Sequence, residues 1–162
     1  MYPVYDIDAA VLLGVALSAK RRPARLVEVM AAADMLQGFI PFETKLGDAL
    51  FRLSIHGLVD AVEDGYVLTD IGQELAADVP NKDDPADRIA RMKELLSDFR
   101  ARATYAGIEM TSEQYRQALA EHQADKTNGG RNVLMPKPKA DRHFKVEGKW
   151  RRVAAPKRGK TR

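Results

Sequence analysis

The sequence predicts a mainly α protein: three helices, a β-hairpin, further helices towards the C-terminus and a disordered basic tail. Three observations carry that expectation. Apolar residues recur at helical spacing in Leu26, Val27, Met30, Ala33 and Leu36, and again in Leu46, Ala49, Leu50, Leu53 and Leu58. Asp64-Gly65, a pair favoured in two-residue type I′ turns, separates two short runs that read as strands. Charge is divided: residues 1–125 hold 13 Lys+Arg against 21 Asp+Glu, whereas residues 126–162 hold 13 against 2.

The first helix is expected over Asp6–Ser18, apolar at nearly every position after Asp8. A helix apolar all round belongs in the interior, so this one is placed centrally. Asp6 or Asp8 suits its start, where amides lack partners, and Lys20-Arg21-Arg22 suits the negative end of its dipole. Pro23 reads as the first residue of the second helix, which Gly38 stops. The third helix follows Pro41 and ends at Gly57, with Lys45, Asp48, Arg52 and His56 along one exposed stripe. Strands Val59–Glu63 and Tyr66–Leu68 then flank the turn, and Thr69 caps a short helix, Asp70–Ala77, before Pro80.

After a polar linker, Asp84-Pro85 opens a helix reaching about Ala106. Ile89, Met92, Leu96, Phe99 and Ala103 alternate steps of three and four, a narrow seam that must dock on something. The seam reads as a dimerisation surface, with packing onto the chain's own first helix as the alternative. Thr111 and Gln114 fit a capping box for a last helix, with Tyr115, Ala118, Leu119 and His122 on one face. From Lys126 the composition changes: Asn128-Gly129-Gly130 reads as a break, and prolines punctuate a Lys/Arg-rich run expected to be disordered. A small hairpin over Phe144–Val153 is the one regular element suggested there. The organisation is thus 1–80, a helical extension 81–125, and a basic tail 126–162.

The stretch Leu46-Gly-Asp-Ala-Leu-Phe-Arg-Leu-Ser-Ile-His-Gly-Leu-Val59, followed by Gly65-Tyr-Val-Leu-Thr-Asp-Ile-Gly72, resembles a winged helix-turn-helix domain. It is similar to the MarR-like and PadR-like transcriptional regulators, whose recognition helix has the pattern L-x-x-A-L-x-x-L-x-x-x-G-L-V. A tyrosine-bearing strand and an L-T-x-x-G step follow it there. The matching positions are Leu46, Ala49, Leu50, Leu53, Gly57, Leu58 and Val59, then Tyr66, Leu68, Thr69 and Gly72, within about residues 6–80. The resemblance implies a helix, 42–56, in the DNA major groove and a wing beside the backbone. It makes Thr44, Lys45, Asp48 and Arg52 base-facing and puts Glu63, Asp64 and Gly65 at the wing tip. The acidic tip and Asp48 oppose phosphate binding, which gains affinity by releasing counterions to cations.

A DNA-binding transcriptional regulator is therefore the expected function, with double-stranded DNA as partner and a homodimer as a further expectation; the alternative is a winged-helix protein–protein adaptor whose basic tail binds an acidic or ribonucleoprotein partner. Thr44, Lys45 and Arg52 are candidate contacts on the helix; the bland reading is a solvated face paired through Asp48. Arg21, Arg22 and Arg25 are candidate phosphate contacts or charges at helix ends. In the tail, Lys149, Trp150, Arg151, Arg152, Lys157, Arg158 and Lys160 suit a flexible arm whose Trp150 stacks on bases; a solubilising or acidic-partner-binding tail is the alternative. His56, His122 and His143 lack ligand spacing, and no cysteine is present, so neither a metal site nor another cofactor is expected. No nucleophile motif, phosphate loop or dinucleotide fingerprint occurs, so an enzyme is the least supported class. The longest apolar run, Ala9–Leu17, is too short for a bilayer and follows Asp6 and Asp8 rather than a basic leader; a cytoplasmic location is expected.

Overall fold

Helix α1 (Asp6–Ser18) runs through the middle of a body formed by Met1–Ala124. The computed structural model describes residues 1–133, with side chains to Asn128. Every residue from Ile7 to Val15 is buried, as expected of a helix with no polar face. Helices α2 (Leu26–Gln37) and α3 (Glu43–Ile55) pack against α1, and Leu46, Ala49, Leu50, Leu53 and Leu58 are buried together on one ridge. Asp8 accepts the backbone N–H of Tyr5 at 2.9 Å, closing the first turn of α1. Gly38 takes a left-handed conformation at the end of α2.

Strands β1 (Val59–Val62) and β2 (Gly65–Leu68) pair antiparallel, Val59 opposite Leu68 and Val62 opposite Gly65. The two-residue loop is thus Glu63-Asp64, one position before the expected Asp64-Gly65, and Glu63 carries the positive φ of 53°. The cause is a third backbone. Ala24 exchanges both hydrogen bonds with Tyr66, each 2.8 Å, so the segment before α2 lies along β2. A Cβ on Gly65 would sit 2.6 Å from that of Pro23. The glycine is spent on this close approach, and Pro23 lies in extended chain ahead of α2 rather than at its first position. Gly65→Ala is expected to destabilise the body by about 2 kcal/mol, read by denaturant unfolding.

Thr69 caps α4 (Asp70–Ala77), its Oγ1 accepting from Gly72 N–H at 3.2 Å. Helix α5 begins at Pro85 as expected but ends at Asp98 rather than near Ala106. Its last carbonyls turn to the Met1 ammonium, which donates to Leu96 O at 3.0 Å and to Phe99 O, and the chain leaves in extended form. Met92 and Leu96 are completely buried, and α5 packs on α1, α2 and α4. The seam therefore docks on its own chain. Met92 and Leu96 have no surface left for dimerisation, and the half-buried Ile89 and Phe99 pack against the same core. Residues 81–124 share that core, since Met92, Leu96, Tyr115 and Ala118 join residues of α1 and α2 in it.

Helix α6 (Ser112–Val133) opens with the expected capping box, Thr111 N–H to Gln114 Oε1 at 3.0 Å and Gln114 N–H to Thr111 Oγ1 at 3.2 Å. It is fastened to α2 and its flanks by Tyr115 Oη donating to Pro41 O at 2.7 Å, by the buried His122–Asp34 pair at 2.9 Å and by Arg25–Glu121. A second unit begins at Asp125, and α6 continues in it through Gly129-Gly130 to Val133. Those glycines were expected to break the chain. A glycine costs a propagating helix about 1 kcal/mol but removes no donor, so it weakens the helix without stopping it. The rest of the expected disordered tail, with the Phe144–Val153 hairpin, lies outside the described residues. No helix among the described residues is long and apolar enough to cross a membrane.

Candidate interface on helix α3

With its leucine ridge inward, α3 turns Thr44, Asp48, Phe51 and Ile55 outward, and Lys45 and Arg52 to one side. Thr44, Lys45 and Asp48 are exposed, as are the hairpin residues Glu63 and Asp64. Arg52 is not available as expected. Its guanidinium lies on Asp8, Nη2 to Oδ1 at 2.7 Å and Nε to Oδ1 at 3.1 Å, and stacks over the Tyr5 ring at 4.8 Å. The Asp8 side chain is wholly buried, so Arg52 is its counter-charge. Withdrawing Arg52 to a base or a phosphate would leave a carboxylate buried and uncompensated, a penalty of several kcal/mol.

The other side of α3 is covered by the extended chain between α5 and α6. Tyr105 N–H donates to Ile55 O at 3.0 Å, and Ile108 N–H donates to Ser54 Oγ at 2.8 Å. Two rings seat on two glycines in opposite senses, Tyr105 over Gly57 and Phe51 over Gly107, with no room for a Cβ under either. Met110 reaches Gly47 with its Cε 3.5 Å from the Cβ position, and Ser112 Oγ donates to Glu43. A strap of this kind narrows the outward face of α3 to the Thr44–Asp48 edge, which carries one cation, Lys45.

The arginines before α2 are divided. Arg22 grips Glu28 through both terminal nitrogens, which holds the Glu28 carboxyl below its ordinary range. Arg25 is paired with Glu121. Arg21 is exposed and, like Lys45, enters no ion pair among the described residues. Lys149, Trp150, Arg151, Arg152, Lys157, Arg158, Lys160 and His143 lie outside those residues. His56 is held by the Arg52 carbonyl at 2.7 Å, and His122 by Asp34.

No protein-family model, curated protein or solved structure matches this chain.

Sequence reasoning missed what lies beside Lys45. A cleft of about 400 Å³ runs between the start of α1, the α2–α3 loop and α3, lined by Tyr5, Gln37, Phe39, Pro41, Phe42 and Lys45 among others. Phe42 is 72% exposed and Phe39 54%, large apolar surfaces that folding leaves in water. Gln37 Oε1 is buried at this cleft and accepts no hydrogen bond from the described residues. The cleft's walls set the aromatic rings and Pro41 beside Asp6, Lys45, Asp48 and Arg52, and the unmet acceptor can take an N–H. The signal was legible: Phe39-Ile40-Pro41-Phe42 is an apolar run with no place in either helical spine.

Proposed function

We propose that this chain is a non-enzymatic protein-docking adaptor with a winged-helix-type body, and that its basic residues 126–162 bind an acidic or ribonucleoprotein partner. The element order supports the body: helix, a one-residue β-bridge at Ala24, two helices, hairpin. Ala24, ahead of the second helix, exchanges both backbone hydrogen bonds with Tyr66 of the hairpin. The observation that carries the adaptor is Arg52 bound to buried Asp8 beside exposed Phe39 and Phe42. A surface that spends its arginine internally and shows aromatics is dressed for protein rather than phosphate.

Sequence-specific DNA binding is the second reading, favoured by exposed Thr44, Lys45 and Arg21. The two separate cleanly. Lys45→Glu and Arg21→Glu are expected to leave duplex-DNA affinity of the full chain unchanged within about twofold in an electrophoretic titration. Phe42→Asp is expected to abolish photocrosslinking from the cleft to a discrete protein partner while leaving the fold intact. A tenfold loss of duplex affinity in Lys45→Glu would move the chain to the regulators.

A further inference from the structure

Arg88, on the first turns of α5, is 6% exposed, yet among the described residues no carboxylate pairs with it. Its Nη2 donates to Asn81 Oδ1 at 3.0 Å, and its Nε is buried without an acceptor among the described residues. A guanidinium is never deprotonated in a protein, so the charge is present and under-compensated. Arg88 lines a cavity of about 430 Å³ between the end of α1, strand β2, α4 and α5. Leu17, Val67, Leu68 and Ala76 give that cavity apolar walls, and Lys20 stands exposed at its edge. Among the described residues no acidic one lines it. A volume in the range of small-molecule sites, apolar walls and one fixed cation define the complement of an anion with a hydrocarbon body.

We propose that this cavity binds an amphipathic monocarboxylate, with its carboxylate on the Arg88 guanidinium and its hydrocarbon between Leu17, Val67 and Ala76. The planar fork of arginine matches a carboxylate, and Asn81 fixes its orientation by holding Nη2. Ligand binding here touches α1, β2, α4 and α5 at once, and it stands whether or not the adaptor reading holds.

The test titrates the full chain with octanoate, 1-octanol, acetate and inorganic phosphate, by calorimetry and by the thermal midpoint. Octanoate is expected to bind at least about tenfold more tightly than octanol, which lacks the charge, and than acetate, which lacks the body. It raises the midpoint, because a ligand of the folded state stabilises by mass action. Arg88→Met keeps the apolar stem and is expected to weaken octanoate by about 10- to 100-fold without lowering the midpoint of the free protein. Should that variant not fold, the comparison of octanoate with octanol in the unaltered chain still decides. Equal binding of octanol, phosphate binding as tightly as octanoate, no heat with any acid, or unchanged octanoate affinity in Arg88→Met would each overturn the proposal.

Discussion

Replacing Asp8 with asparagine is expected to lower the stability of the body by about 3 kcal/mol, near the lower end for breaking a buried ion pair because Arg52 keeps some water. For a body of this size that is a fall of about 10 °C in thermal midpoint. Two losses combine. Asparagine keeps the acceptor for Tyr5 N–H but surrenders the charge that balances Arg52, and the guanidinium is left over the Tyr5 ring with only a neutral partner. Arg52→Met should be damaging for the reciprocal reason, since it strands the buried carboxylate. The double variant is expected to be at least about 1 kcal/mol more stable than the summed single losses, the signature of direct coupling. Additive losses measured by urea unfolding would detach Arg52 from Asp8 and return it to the surface.

Gly72→Ala is expected to cost about 3 kcal/mol, the upper part of the range for overpacking. The sign is informative. At an unconstrained position in a helix the same change stabilises, by about 1 kcal/mol. Here a Cβ would run into the carbonyl oxygen of Leu58, and that oxygen cannot retreat because it accepts from Thr69 N–H at 3.1 Å. Thr69 in turn donates its hydroxyl to Gly57 O at 2.6 Å while capping α4. One glycine thus locks α4 to the end of the third helix and the start of the hairpin. Unfolding curves for the two proteins, compared at equal slope, measure the difference.

The elements whose signals are local were legible in the chain. The limits of α1, the leucine ridge of α3, the Thr69 cap of α4 and the Thr111–Gln114 box all follow from spacing over a few residues. What escaped depends on partners distant in sequence. Arg52 meets Asp8 across 44 positions, so a residue that belongs to the exposed stripe by periodicity becomes an interior counter-charge. The hairpin turn moved by one residue because Pro23 and the Ala24 carbonyl claim the space at Gly65. Helix α5 stops early where its last carbonyls meet the Met1 ammonium, and the chain beyond it pairs with Ile55 and Ser54, none of them near in sequence. The seam on α5 reads as a dimerisation surface from its spacing alone, but Met92 and Leu96 are buried in the chain's own core, where α5 packs on α1, α2 and α4. The aromatic cleft was written in Phe39–Phe42, but a search for cations on the third helix passes over it.

The most direct test of the account is a titration of isotope-labelled full-length chain with duplex DNA, following backbone amides by heteronuclear NMR at low salt. The account predicts shifts confined to residues after Asp125, with the amides of Thr44, Lys45 and Asp48 unmoved to saturation. Saturable shifts along α3 at those three residues, with or without the basic residues taking part, would contradict it.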